Sequence, residues 1–399
     1  MARRKITKKQ QKEIEKAAKK HPILTAVVLL LIIVIVGCCL LHRKRIIHIP
    51  FLDGIIPQET VDNGDGDGDT DIESAGGAFS AEDITTISQS ELSVHFLQLG
   101  NDAPGDCTLI KTGNTEVLID AGSDVDSATT LVSYISDFCT DGVLEYVVAT
   151  HGDADHISAF VGENETDGIF KNFECGIIID ATYTTKSTDI YQSYVQLRDE
   201  EVADGAKRYT ALECYNNENG AQRVYPLGND VTMEILYHKY YEQTTNNEND
   251  YSVCTLIKYG KNQYLFTGDL EDGEASLVEN NLNIGKCVVY KAGHHGSSTS
   301  SSTQLLELID PDIVVANCVA GGRYNFPKQD FIERISQYTE NVYVTTMKTP
   351  EEYLPMNGNI VIYTENGDIK VRCSNNATLL KDTDWFKENR ICPDKWKTA

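Results

Sequence analysis

The 399 residues carry 35 basic and 60 acidic side chains, a formal charge of −25. Residues 1–48 hold twelve basic and two acidic groups, so removing their net +10 leaves the remainder near −35. That remainder lacks the basic footprint by which a protein grips a long polyanion, which counts against a tight, extended nucleic-acid surface. The length suits one large domain with attachments, or two domains.

In chain order, residues 1–22 form a basic leader in which Arg3, Arg4, Lys5 and six further lysines outnumber Glu13 and Glu15. Ile23–Leu41 is nineteen residues without a charge, enough for a helix to cross about 30 Å of hydrocarbon. Read as an uncleaved single-pass anchor, it places the leader in the cytoplasm and the rest outside. The basic Arg43, Lys44 and Arg45 on the far side oppose that orientation. A cleaved signal peptide lacks its Ala-x-Ala site here. Ile35-Val-Gly-Cys38 leaves a lipid anchor at Cys38 open, although the long leader and the apolar residues after Cys39 disfavour it. All three readings export the domain that follows, and the two anchored ones hold it at the membrane bilayer.

Residues 42–91 read as a juxtamembrane segment followed by an acidic linker. From Gln58 onward apolar periodicity disappears, and Asp62–Asp69 alternates acids with glycine. Such a stretch buries too little surface to offset its ordering entropy, so it is expected to be disordered. No register of it supplies the sixth-position Gly and closing Glu of a folded calcium loop.

Beyond the linker, short apolar strands recur at Leu92–Leu99, Asp106–Lys111, Glu116–Asp120, Tyr146–Thr150 and Gly176–Asp180, with a helical pattern at Ser127–Cys139. A second half repeats the scheme at Val231–Tyr237, Tyr251–Tyr259, Gln263–Thr267, Cys287–Tyr290, Ile313–Asn317 and Asn341–Thr346. The pattern predicts an α/β or α+β domain over residues 92–374. Residues 181–230 are polar, tyrosine-rich and weakly patterned, and read as helical and loop excursions over a site. Asn359–Thr364 and Asp368–Cys373 read as a closing hairpin, and residues 375–399 as a loosely packed tail. Of eleven cysteines, Cys38 and Cys39 lie in the apolar segment, and none forms a Cys-x-x-Cys pair. Cys107, Cys254 and Cys287 fall inside strand-like runs as small core residues.

The densest chemistry is Val148-Ala-Thr-His151-Gly-Asp153-Ala-Asp155-His156, with two histidines and two aspartates in six residues after an apolar run. It suits a loop at the carboxyl end of a strand, where imidazole and carboxylate converge as ligands for divalent metals. Similar strand ends follow at Thr267-Gly-Asp269-Leu and at Gly293-His294-His295-Gly296-Ser297, and an earlier one at Asp120-Ala-Gly122. Four of the nine histidines sit at these tips.

The order Asp-Ala-Gly, Thr-His-x-Asp-x-Asp-His, Thr-Gly-Asp-Leu, His-His-Gly-Ser resembles the metallo-β-lactamase superfamily. Within it, the similarity is to the hydrolase domain of ComEC-type DNA-uptake proteins and their stand-alone relatives. Val94-His-Phe-Leu-Gln-Leu-Gly100 and Gly105-Asp106-Cys-Thr-Leu-Ile110 are similar to that family's first two strands, and the resemblance runs from about Ser93 to Cys373. It implies a four-layer αββα sandwich and two divalent ions, Zn²⁺ or Mn²⁺. It also implies that His151 and Asp153 hold one metal, that Asp155 and His156 hold the other, and that Asp269 is shared. One of His294 and His295 completes the second metal, and the other protonates a leaving oxygen or bonds a phosphate. Asp155, Asp269, His294 and His295 are then the catalytic candidates. Asp120 is expected to orient the loop rather than ligate, with Asp106 likewise beside the metals.

Ser297 and Ser298, just before a helix-like Thr303–Ile309, are candidates for a phosphate oxygen at a helix start, or form a plain polar loop. Asn249, Asp250 and Ser252 resemble the family's Asn-Asp-x-Ser element, either facing substrate or stabilising a turn. Two departures stand out. Asp153 occupies a position where many superfamily members have histidine, and the only histidine between that loop and Asp269 is His238, a weak ligand candidate. The site is therefore carboxylate-rich, which favours manganese or mixed occupancy. Asn325-Phe326-Pro327 stands where ComEC-type relatives often have His-Pro.

The expected activity is hydrolysis of a phosphodiester by a metal-bridged hydroxide. The substrate is DNA or an envelope phosphodiester such as a choline- or polyol-phosphate decoration. The alternatives are carbon-ester or lactam hydrolysis, and a non-catalytic surface binding module that keeps the fold.

Overall fold

The computed structural model of the protein describes residues 72–164 and 167–397. The leader, the expected anchor at 23–41 and the linker as far as residue 71 lie outside the described residues. Among those described, no helix is long and apolar enough to cross a membrane.

The strands, in chain order, are β1 (Glu73–Gly76), β2 (Leu92–Phe96), β3 (Thr108–Thr112), β4 (Thr115–Ile119), β5 (Val143–Ala149), β6 (Glu174–Asp180) and β7 (Lys207–Thr210). The second half supplies β8 (Val224–Gly228), β9 (Val231–Leu236), β10 (Cys254–Tyr259), β11 (Asn262–Phe266), β12 (Val289–Lys291), β13 (Ile313–Ala320), β14 (Val342–Lys348) and β15 (Tyr353–Pro355). A final hairpin of β16 (Ile360–Glu365) and β17 (Asp368–Cys373) returns to the first sheet, as its alternation predicts.

One sheet runs β1-β17-β16-β2-β3-β4-β5-β6-β7 and the other β15-β14-β13-β12-β11-β10-β9-β8. Each passes from an antiparallel block to a parallel one, through β4–β7 and β11–β14. The carboxyl ends of parallel neighbours point the same way. Asp120 after β4, His151 after β5, Asp269 after β11 and His294-His295 after β12 can therefore gather at one edge.

Period-two alternation decides the layering. In β4, Val117 and Ile119 enter the core shared by the two sheets, whereas Leu118 faces outward onto Leu131, Ile135 and Phe138 of the helix Ser127–Phe138. In β11, Tyr264 and Phe266 join the shared core, whereas Leu265 packs outward with Leu305, Leu306 and Ile309 of the helix Thr303–Ile309. Two sheets share one core and each carries helices outside, which makes a four-layer αββα sandwich. Removing a central side chain such as Leu118 should cost about 2–5 kcal/mol.

Three regions differ from the sequence reading. Residues 72–91 are ordered. β1 pairs in parallel with β17, and the helix Ala81–Ser88 starts from a Ser80–Asp83 capping box. Its Ile87 is buried and Asp83 takes Arg372 Nε at 2.9 Å, so a partner far along the chain fixes what local composition leaves free. Residues 181–230 contain two strands, β7 and β8, as well as helices Asp189–Asp204 and Ala211–Asn216. The last segment is not loosely packed. Trp385, Phe386 and Trp396 are buried in the second sheet's outer core, and Trp396 Nε1–H donates to Thr339 O at 3.0 Å. The nine cysteines of the described residues are free thiols, with Cys107, Cys254 and Cys287 buried as expected.

Candidate metal centre

Asp120 organises the loop that follows β5. Its backbone takes a positive φ of 60°, which turns the carboxylate back over the strand end. Oδ1 accepts the Thr150 N–H at 2.7 Å, and Oδ2 accepts the Thr150 hydroxyl at 2.8 Å and His156 Nδ1–H at 2.7 Å. Gly122 completes the motif because a Cβ there would stand 1.7 Å from the Asp155 carbonyl oxygen. Gly268, at φ 53°, plays the corresponding part before Asp269, where a Cβ would meet Ser252 Oγ at 2.9 Å.

The ring tautomers follow from these partners. Carboxylate and carbonyl oxygens only accept, so a nitrogen bonded to one carries the hydrogen. His156 Nδ1 faces Asp120, and His295 Nδ1 faces Asn317 O and Asp106 Oδ1, both at 3.0 Å. The Thr150 hydroxyl, already donating to Asp120, accepts from His151 Nδ1–H at 3.1 Å. In the neutral rings all three Nε2 atoms therefore present lone pairs, and all three are buried without a hydrogen-bond partner. Orphaned imidazole nitrogens in one polar cluster are the signature of ligands oriented from behind.

Those of His156 and His295 converge on Asp269, whose Oδ2 lies 3.2 Å from His156 Nε2 and 3.3 Å from His295 Nε2. Asp155 Oδ2 lies 3.4 Å from His295 Nε2. The ligand atoms of Asp155, His156, Asp269 and His295 all fall within 4.8 Å of one another, and the donor set of two imidazoles and two carboxylates fits a divalent metal. Burial works against charge on His156 and His295, yet Asp269 together with Asp120 or Asp106 pushes both well above the ordinary histidine range. The cluster thus demands positive charge, and a metal meets the demand that protons otherwise meet.

The other expected residues divide clearly. His151 and Asp153 face each other, Nε2 to Oδ2 at 3.4 Å, but belong to no closed ligand group among the described residues. Asp106 lies behind His295, and its carboxyl is held at about 2, where the Lys291 ammonium and His295 overcome burial. His294 stands beside the cluster rather than in it. Its side chain is 23% exposed, Nδ1 bonds Glu271 Oε1 at 2.9 Å, and Nε2 lies 3.7 Å from Asp269 Oδ2. Asn249 Nδ2 approaches His294 Nδ1 at 3.5 Å. Asp250 and Ser252 serve the turn: Asp250 accepts the Gly273 N–H at 3.0 Å, and Ser252 Oγ accepts the Asp269 N–H at 3.1 Å. His238 lies outside the centre with Nε2 on Ser252 O at 2.9 Å.

The helix start after Ser297 and Ser298 is occupied in part by the chain itself. The buried Glu274 carboxylate takes the N–H groups of Ser301 and Ser302 at 2.6 and 2.7 Å. The Ser297 hydroxyl pairs with Thr299 Oγ1 at 2.9 Å, and Arg334 fastens the carbonyls of Ser298, Ser300 and Ser301. Phe326, where a histidine was the family expectation, lays its ring 5.9 Å from those of both His294 and His295.

Four side chains near the cluster escape sequence reasoning. Lys291, at the end of β12, is buried, pairs with Asp106 and lies 4.0 Å from Asp269 Oδ1. A lysine closing an apolar strand directly before the paired histidines was the available signal. Lys186 pairs with Asp153. Glu248 Oε1 accepts the Gly152 N–H at 2.9 Å and the Thr184 hydroxyl at 2.7 Å, tying the metal loop to residues 184–185. Glu271 holds His294, and that bond draws its carboxyl down to about 2. The last three have no local signature.

Comparison with known proteins agrees with the motifs. Residues 100–162 match the sequence profile of the Metallo-beta-lactamase superfamily. The chain is 37% identical over 101 residues to Recombination protein 2 of Haemophilus influenzae, covering 25% of this chain and 12% of that protein. It is 24% identical over 213 residues to ComE operon protein 3 of Bacillus subtilis, covering 53% and 24%. It is 26% identical over 232 residues to Competence protein ComA of Neisseria gonorrhoeae, covering 57% and 27%. The chain therefore spans only about an eighth to a quarter of the curated relatives it matches.

Proposed function

We propose that this metallo-β-lactamase-fold protein of the ComEC type is a metal-dependent hydrolase of phosphodiesters, anchored by residues 23–41 with its catalytic domain outside the membrane. The observation that carries the reading is the convergence of Asp155, His156, Asp269 and His295, with the histidine Nε2 atoms aimed inward and unpartnered. A divalent metal held there supplies a Lewis acid for a phosphoryl oxygen and lowers the pKa of water toward about 7.

The chain's own groups do the rest. Asp120 and the Asn317 carbonyl fix the two rings, so little reorganisation accompanies the reaction. We assign His294, held at Nδ1 by Glu271 and partly exposed, the transfer of a proton from Nε2 of its charged form to the leaving oxygen, which leaves the ring neutral. Phe326 closes the side of the histidines with an apolar ring that excludes water. The acidic surface outside the leader favours a small or envelope phosphodiester over a long nucleic acid gripped along its length.

Hydrolysis of bis-p-nitrophenyl phosphate tests the reading. With Mn²⁺ or Zn²⁺ the wild type should turn over and Asp155→Ala should not. Equal residual rates in both would mark a contaminant and end the hydrolase assignment, while turnover of nitrocefin alone would move it to lactams. Protease applied to intact cells should remove the catalytic domain, and full protection would reverse the proposed topology.

A further inference from the structure

The two sides of the metal loop are unequally built, and we infer that the chain holds one divalent ion tightly, with the Lys186 ammonium taking the place of a second ion beside His151 and Asp153. The inference rests on the metal centre proposed above and concerns its occupancy. Asp155, His156, Asp269 and His295 form a closed group carrying two carboxylate charges, which match one dication. Behind the ligands, Asp106 is paired with Lys291, and Asp120 is spent on the Thr150 N–H and hydroxyl and on the Nδ1–H of His156.

Beside His151 the arrangement differs. One Asp153 oxygen is taken by Lys186 Nζ, and only the other faces His151 Nε2. Among the described residues no further imidazole completes the position, since His156 belongs to the closed group and His238 is committed to the Ser252 carbonyl. The Lys186–Asp153 pair is neutral, and the ammonium repels an incoming dication while offering it nothing. Lys186 is also delivered to this place by structure. Glu248 accepts from Gly152 of the metal loop and from the hydroxyls of Thr184 and Thr185, and the Lys186 N–H donates to Thr184 Oγ1 at 2.9 Å. A buried carboxylate thus fixes the lysine's loop to the metal loop at a set distance. Because the ammonium cannot activate water, its role is to satisfy Asp153 and keep the loop's charge balanced.

The test uses the full-length chain in detergent, incubated with excess Mn²⁺, freed of unbound ion by gel filtration, then assayed for metal content and Mn²⁺ electron paramagnetic resonance. Wild type should retain one ion per chain, with the resolved hyperfine pattern of an isolated ion. Lys186→Met should retain two and show the broadened signal of a coupled pair. Asp153→Asn should keep one ion, as a residue outside the tight group must. Two ions in the wild type, or one in Lys186→Met, would overturn the inference and leave the hydrolase reading standing. Loss of the ion in Asp153→Asn would place that residue in the tight group and overturn it as well. A wild type retaining no ion would remove both.

Discussion

His156 and His151 come from one short loop, their ring centroids are 4.2 Å apart, and both are buried, yet they live in different electrostatic worlds. Around His156, the carboxylates of Asp120, Asp269 and Asp106 lie 2.7, 3.2 and 3.9 Å away, the last of them paired with Lys291. Around His151, the one close carboxylate among the described residues is Asp153, already paired with Lys186. Ligand identity is similar on the two sides. What separates them is how many negative charges remain after the lysines are counted, and that depends on residues far away in sequence. The metal motif marks a candidate site, and the proposed difference in occupancy comes from the partners of the ligands.

The largest effect is expected from Asp269→Ala, which removes the carboxylate shared by both imidazoles of the closed group. Metal retention should be lost, and kcat should fall by at least about 10³-fold with little change in KM, as expected when a group acts through the reactive centre. Unchanged metal content in this variant would contradict the assignment. Asp120→Asn is milder, because the ring of His156 keeps its metal-facing nitrogen but loses the charged partner behind it. Metal affinity should drop by about 10–100-fold in a chelator competition, with the fold intact.

A histidine outside the carboxylates sharpens the contrast. His238 is as buried as His156, but burial dominates, and its pKa is lowered to about 4. Above the ordinary histidine range both folded and unfolded chains are neutral there. As pH falls toward 4 the unfolded chain takes a proton that the folded one refuses, so stability is lost on acidification. Between about pH 7.5 and about pH 4.5, urea unfolding of His238→Gln should lose about 2 kcal/mol less than wild type. A parallel decline in both would mean that His238 is protonated in the fold. The smallest effect concerns the helix start at Ser301 and Ser302. Glu274→Gln keeps one acceptor and loses the other, so stability should fall by about 1 kcal/mol while KM for the model diester stays put. A raised KM would show that these N–H groups serve substrate after all.

Much of this molecule is legible before any coordinates. Alternation in Val117–Ile119 and in Tyr264–Phe266 announces strands with two buried faces, and the helix Thr303–Ile309 has the bounds its pattern suggests. The motif ends fall at one edge because parallel neighbours must end together. What stays hidden depends on distant pairing. Ile87 and the Ser80–Asp83 cap order a segment that composition marks as linker, because Arg372 and β17 receive it. Trp385 and Trp396 follow no period, yet each buries a large ring against the second sheet. The choice between His294 and His295 turns on which ring has Asn317 or Glu271 behind it, and neither residue lies near them in sequence. Lys186 and Glu248 reach the metal loop from separate excursions, and no local pattern could connect them.

The most direct test of the metal centre is anomalous diffraction from crystals soaked in Mn²⁺. A peak is expected within about 2.0–2.3 Å of His156 Nε2, His295 Nε2 and carboxylate oxygens of Asp155 and Asp269. A map with no peak among these four side chains, or with one centred instead between His151 and Asp153, would contradict the assignment.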